Sequence, residues 1–217
     1  MINHAADPSA FRVYAGCNAC CPQTVATLRI LVDAGTLDAL VECPNNINKD
    51  PMMRVLIELA TTPYVLWMDD DSHVLPGWDT ELLRFIQASH PFDVAGHVFF
   101  IGRHSPPLRD FLRKRPWFVS EELIAEPIWF ATGGFFVART TFLRTHQFPD
   151  RAMVKRADDV LLGDLLQQQK GVLKDFGKDR AIMDRIRISD GNRRGAGEGD
   201  DGWLAVNPLT GEAAGGR

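Results

Sequence analysis

The chain has 217 residues, 45% of them hydrophobic and 24% charged, with a formal net charge of −4. That is ordinary for one globular domain with a sizeable core. It gives no overall attraction to nucleic acid or an anionic membrane, and no apolar run approaches the ~20 residues a bilayer crossing needs.

From the start, Met1-Ile2-Asn3-His4-Ala5 lacks the charged and apolar regions of a signal peptide, so a cytoplasmic protein with no transmembrane segment is expected. Phe11 to Gly16 predicts a first strand with a turn after it. Pro22 suits a helix start, Val25, Leu28, Leu31 and Val32 recur at helical spacing, and Gly35 ends the helix. The four cysteines are Cys17, Cys20, Cys21 and Cys43, and the first two have the gap of zinc and redox pairs. A second such pair for a structural zinc is missing, and a reducing compartment favours thiols, so reduced, partly buried cysteines are expected. Leu37 to Cys43 predicts a second strand. Met52, Met53, Leu56, Leu59 and Ala60 form a second helical stripe whose methionines belong to the core. A strand at Tyr64 to Met68 follows, and this alternation opens a parallel α/β sheet.

Leu82, Leu83, Phe85 and Ile86 mark a third helix, and Phe92 to Ile101 another strand. Arg109, Arg113, Lys114 and Arg115 then lie among Phe111, Trp117 and Phe118. A solvated helix face is the expected role, with an anionic partner as the alternative. Ile128 to Arg139 is an apolar run interrupted by Gly133-Gly134, the mark of a close backbone approach or a sharp turn. Thr140 to Leu143 starts a short helix. Asp158 and Asp159 open another, which packs through Leu162, Leu165 and Leu166. One helix cap needs only one of these two carboxylates. The stretch 189–217 is rich in Gly, Asp and Arg and predicts a mobile end, with Trp203 and Leu204 as its anchors.

The chain is organised around Tyr64-Val65-Leu66-Trp67-Met68, which runs straight into Asp69-Asp70-Asp71. A short apolar run bounded by Pro63 and by Pro76-Gly77 suits a strand buried on both faces. Adjacent acids repel one another unless something positive sits among them. Hard oxygen ligands at a strand end suit Mg²⁺ or Mn²⁺, with a substrate diphosphate completing the shell. Open α/β sheets bind ligands at the carboxyl ends of their strands, where these acids fall.

The acid-tipped strand, the glycine segment and the paired aspartates, in that order, resemble the family-2 glycosyltransferases of the GT-A fold from about Phe11 to Gly171. Asn18 follows the first strand where that family often has an asparagine. Asn46 to Ala60, leading into Tyr64 to Asp69, resembles its approach to the metal motif. Ala131 to Val137 is similar to its acceptor-side glycine segment, and Asp158-Asp159-Val160-Leu161-Leu162-Gly163 to its Glu-Asp motif, with Asp for Glu. Two positions depart: Glu42-Cys43 stands near the family's base-contacting aspartate, and Arg54 holds a position that is often Asn or Lys.

The resemblance implies an α/β, GT-A-type single domain at 1–188, with a mostly parallel central sheet and flanking helices. Residues 1–100 would form the nucleotide-sugar half and 101–188 the acceptor half, followed by the tail. It implies metal-dependent, inverting transfer from a nucleotide diphosphate sugar, a UDP-sugar first, to a hydroxyl of a glycan or of a hydroxylated DNA base. Asp159 is the expected base, oriented by Asp158, and Asp69 and Asp71 the ligands of Mn²⁺ or Mg²⁺. Asn18, Glu42, Arg54, Asp69, Asp70, Gly133, Gly134, Arg193 and Arg194 are the expected donor-side residues. A nucleotidyltransferase-like protein and a non-catalytic nucleotide-sugar-binding protein stay open as alternatives. The first would want a glycine-rich basic loop after the first strand, where Gly16 to Pro22 holds no Lys or Arg.

Overall fold

The computed structural model describes residues 2–69, 72–102, 105–153 and 158–187. Asp70, Asp71, Arg193 and Arg194, and the tail with Trp203 and Leu204, lie outside the described residues. Strands and helices alternate as β1 (Tyr14–Asn18), α1 (Pro22–Asp33), β2 (Ala39–Cys43), α2 (Lys49–Leu59), β3 (Tyr64–Met68), β4 (His73–Val74), α3 (Trp78–Ser89) and β5 (Val94–Ile101). They continue as α4 (Pro106–Leu112), α5 (Glu121–Ala125), β6 (Ile128–Arg139), α6 (Thr140–Thr145), α7 (Asp158–Gln168), β7 (Leu173–Asp175), α8 (Arg180–Met183) and β8 (Ile186–Arg187). Among the described residues no helix is long and apolar enough to cross a membrane.

The fold is α/β. β1 and β2 pair in parallel, and β4 pairs with β8. The central sheet has the order β3-β6-β5-β7. β6 is antiparallel to both β3 and β5, while β5 and β7 are parallel. The sheet is therefore mixed rather than mostly parallel: β3, β5 and β7 share one direction, and β6 is inserted against them. The cause is the connection between β5 and β6. Ile101, at the end of β5, pairs with Ile128, at the start of β6. The intervening segment with α4 and α5 thus returns the chain at the same end of the sheet, and a strand re-entering there must run antiparallel.

The apolar run of β6 is explained by burial on both faces. Phe136 and Ala138 join a core with Met53, Ile57, Leu161 and Leu165, while Phe135 and Val137 join a second one with Trp78, Leu82, Phe85 and Phe176. Helices α2 and α7 cover the first face and α3 and α8 the second. Each large side chain so buried contributes about 1.5–3 kcal/mol.

Two expectations need correction. The basic stretch is a solvated face at Arg113, which pairs with Asp110 and Glu121, but not at Arg115. Arg115 is buried, stacks 3.8 Å over the Phe111 ring and pairs with Asp150 at 2.5 Å. The adjacent Trp117, 1% exposed, draws this turn inward and takes Arg115 with it. The cysteines are not all thiols either: Cys17 and Cys20 form a disulfide, their Cα atoms 5.5 Å apart, and Cys21 and Cys43 are free. A tight turn with Ala19 at φ 56° brings the pair together.

Candidate active site

β3 delivers Asp69 to the carboxyl end of the central sheet. The ladder with β6 runs one step past the strand, since Asp69 N–H donates to Gly134 O at 3.0 Å. The Ser72 hydroxyl donates to the same carbonyl at 3.1 Å. On its other side β6 breaks register. Gly96 lies opposite Phe136, but Val98 lies opposite Ala131, so the stretch between Ala131 and Phe136 bulges out of the β5 ladder. Gly133 and Gly134 are in this bulge.

Helix α7 lies across β6. At Gly163 a Cβ would meet the Trp129 carbonyl at 2.5 Å and Phe130 Cβ at 2.7 Å, so only glycine permits this approach. Farther along, α7 is fastened to the segment before α5. The Trp117 indole donates to Asp164 at 2.8 Å, and Gln168 Oε1 accepts from the backbone N–H groups of Val119 and Ser120 at 2.7 and 2.9 Å. Gln169 donates to Trp117 O at 2.7 Å. The helix start, with Asp158 and Asp159, is thereby set against the glycine bulge.

One side chain joins these parts. Lys49, the first residue of α2, places its Nζ 2.9 Å from Asp69 Oδ2, 3.2 Å from Gly133 O and 3.0 Å from Asp158 Oδ2. The last contact is an ion pair without hydrogen-bond alignment. An ammonium has three protons to give, and two of them go to Asp69 and to Gly133 O. The Trp67 ring lies 5.8 Å from the same Nζ, and its indole N–H donates to Asp69 Oδ1 at 2.7 Å. The acid-tipped strand, the glycine segment and the paired aspartates are thus in one cluster.

The electrostatics follow from burial. Asp69 is raised by desolvation, against the pull of Lys49 and of its hydrogen bonds. Burial lowers Lys49, but the charges of Asp158 and Asp69 more than offset it and keep the ammonium charged. Asp159 is 4% exposed, and burial together with the neighbouring Asp158 pushes it up to about 7. Its Oδ1 accepts the Val160 N–H at 2.8 Å, so it also stabilises the first turn of α7. Asp50 is fully buried, and neither of its oxygens has a hydrogen-bond partner among the described residues. Burial raises it to about 7, with Asp158 adding to the shift.

The other expected donor-side residues make their contacts outside this cluster. Asn18 accepts the Ile47 N–H at 2.7 Å and so braces the loop leading into Lys49. Glu42 is engaged by Arg29 through two hydrogen bonds, at 2.8 and 2.7 Å, on the surface of the β1–β2 pair. Arg54 donates to Pro149 O at 2.7 Å and to Asp150 O, which ties α2 to the chain before α7. Sequence reading missed Lys49, Asp50 and Trp67. A Lys-Asp pair at a helix start looks like an ordinary solvated first turn, and Trp67 sits inside an apolar run. The available signal was the self-repulsion of the acids, which calls for an internal cation.

Among the described residues no three His, Cys, Asp or Glu side chains gather as a metal cage, and Asp71 lies outside them. Asp69 alone can be tested for fit. Each of its oxygens accepts one hydrogen bond and keeps a further lone pair, and its side chain is 25% exposed. That is a hard oxygen donor open to the site, which fits Mg²⁺ or Mn²⁺.

The sequence model of Glycosyl transferase family 2 matches residues 40–146, just under half of the chain. No curated protein matches. Among solved structures, S. aureus TarS 1–349 is 17% identical, with a TM-score of 0.51 over 81% of this chain and 55% of that one. TarS 1–349 in complex with UDP-GlcNAc is 16% identical, with a TM-score of 0.49 over 76% of this chain and 47% of that one. The chain spans about half the length of these structures. Fold and matched segment together define a GT-A-type α/β domain. Within that class, residues 40–146 are similar to the family-2 glycosyltransferases.

Proposed function

We propose that the protein is a metal-dependent, inverting glycosyltransferase. It moves a sugar from a nucleotide diphosphate sugar, a UDP-sugar first, to an acceptor hydroxyl, a glycan first. The observation that carries this reading is the meeting of Asp69, Gly133 and Asp158 on one ammonium, with Asp159 beside them.

In this reading Asp159 takes the proton of the acceptor hydroxyl as that oxygen bonds to the anomeric carbon. The bond from that carbon to the diphosphate oxygen breaks, and its electron pair leaves with the diphosphate. A buried carboxylate with its pKa pushed up to about 7 is a better proton acceptor than an ordinary aspartate and is still ionised just above neutrality. Asp158, held by Lys49, orients the first turn of α7. Gly133, with no side chain, lets Asp158 and Lys49 pack directly against the sheet backbone. Asp69 and Asp71 would hold Mn²⁺ or Mg²⁺, which supplies positive charge for the developing diphosphate. Residues 1–100 serve the donor and 101–188 the acceptor, and Asn18 and Asp70 belong to the donor side.

The test is incubation with a panel of nucleotide sugars, Mn²⁺ and glycan acceptors. Metal-dependent release of the nucleoside diphosphate with glycosylated acceptor is the expected outcome. Pyrophosphate formation from a nucleoside triphosphate and a sugar phosphate would point instead to a nucleotidyltransferase. Binding without turnover would point to a non-catalytic protein.

A further inference from the structure

The cluster contains a cation of its own, placed against a carboxylate that the metal reading also needs. Lys49 Nζ is 2.9 Å from Asp69 Oδ2, and the Trp67 indole occupies Asp69 Oδ1 at 2.7 Å. Both oxygens of the expected metal ligand are therefore already engaged inside the protein. The contact is not sealed in the core: the Lys49 and Asp69 side chains are 31% and 25% exposed, against 10% for Asp158. An incoming ion can reach the outer pair, while Asp158 stays enclosed behind it.

We propose that Lys49 is a tethered counter-cation of the site, which holds Asp69 and Asp158 together and competes with a divalent metal for Asp69. The inference rests on the metal-dependent reading of the acidic strand end. The physical argument is charge. Asp69 and Asp158 are brought to one point by two different elements, β3 and α7, and their repulsion is cancelled there by a cation carried on a third, α2. A lysine side chain is long and flexible, so it can give up one oxygen and keep the others. When Asp69 turns to a divalent ion, Lys49 retains Asp158 and Gly133 O, and α7 keeps its place. Lys49 is a positioning residue in this scheme and takes no part in bond making. Its presence weakens metal binding, because a fixed positive charge stands beside the ligand. Metal affinity in the absence of donor is therefore the quantity it controls.

The experiment is a calorimetric titration of the whole chain with Mn²⁺ alone, with no donor and no turnover. Lys49→Met removes the competing charge and is expected to tighten Mn²⁺ binding about tenfold or more. Lys49→Arg keeps the charge and should stay within about threefold of wild type. Asp69→Asn added to Lys49→Met should abolish the gain, since the gain acts through that carboxylate. Lys49→Gln, which can still hydrogen-bond the neighbouring oxygens, serves as the neutral variant if Lys49→Met does not fold. Equal or weaker Mn²⁺ binding by a folded neutral variant overturns the proposal. So does an absence of Mn²⁺ binding by both wild type and neutral variant. A protein that shows the gain but transfers no sugar would sink the functional reading and leave the role of Lys49 standing.

Discussion

Gly133 and Asp158 face each other where the sheet meets α7, so closely that a Cβ on the glycine would stand 3.0 Å from Asp158 Oδ2. It would also stand 3.4 Å from Lys49 Nζ. Gly133→Ala should therefore push the carboxylate and the ammonium aside by a few tenths of an ångström. Overpacking of this kind costs about 1–3 kcal/mol. The expected result is a folded protein with a lower melting temperature and at least tenfold lower turnover, because misplacement at a reacting centre is costly. Turnover equal to wild type would show that the glycine is not needed for the site.

Asp159→Asn keeps the size of the side chain and an oxygen for the Val160 N–H, but it cannot take a proton. Turnover should fall by ~10²–10⁴ while donor affinity holds. In the wild type, turnover should rise with pH through about 7, where the buried carboxylate ionises. Melting temperature, donor affinity and rate measured on one preparation separate this from a helix-cap effect, which would lower stability and leave the rate per folded molecule intact.

Asp50 gives a prediction about pH and stability. Its folded pKa of about 7 lies above the ordinary value of 3.8, so the folded state binds this proton more tightly than the unfolded chain. Its contribution to stability is complete below about pH 4 and is lost as pH rises to about 7. Asp50→Asn removes the titration. The variant should gain on wild type steadily between pH 4 and 7 and be the more stable above that. Melting curves at pH 5 and pH 8 for both proteins suffice, and a constant difference between them would contradict the assignment.

The buried pair of Arg115 and Asp150 makes a harsher case. Asp150 also accepts the N–H groups of Ala152 and Met153, at 2.6 and 3.2 Å, and its backbone carbonyl receives Arg54. Arg115→Met leaves that carboxylate without its buried partner and should cost ~3–5 kcal/mol in chemical denaturation. Arg115→Lys should recover only part of this, because the guanidinium also donates through Nε to Phe111 O and stacks on the Phe111 ring. A loss within 0–1 kcal/mol, as for a surface ion pair, would show that the pair is solvated after all.

Much of this was legible in the sequence, and the parts that were not share a cause. The apolar run into Asp69 showed a strand, the glycine pair showed an irregular one, and two aspartates at a helix start exceeded what a cap requires. Each is a local pattern with a local physical reason. The direction of β6 was not legible, because burial on both faces looks the same in parallel and antiparallel strands, and only the pairing of Ile101 with Ile128 decides it. Arg115 and Lys49 were misread or missed for a related reason. A long cationic side chain is placed by whatever acid lies nearby in space, and Asp150 and Asp158 are far from them along the chain. Glu42 looked free for a ligand because Arg29, its partner on α1, stands outside its own strand.

The glutamines at the end of α7 acquire a meaning from this arrangement. Gln168 and Gln169 clamp the far end of the helix to Ser120 and Trp117, roughly 15 Å along the axis from Asp158 by the rise of an α-helix. The helix is a rod held against β6 at Gly163 and against the segment before α5 at the glutamines. A slip at the glutamines, where no chemistry takes place, would appear at the other end as a displaced carboxylate. Mutational tolerance along α7 should therefore track where the helix is held rather than distance from the reacting atoms, with its back end as constrained as its front.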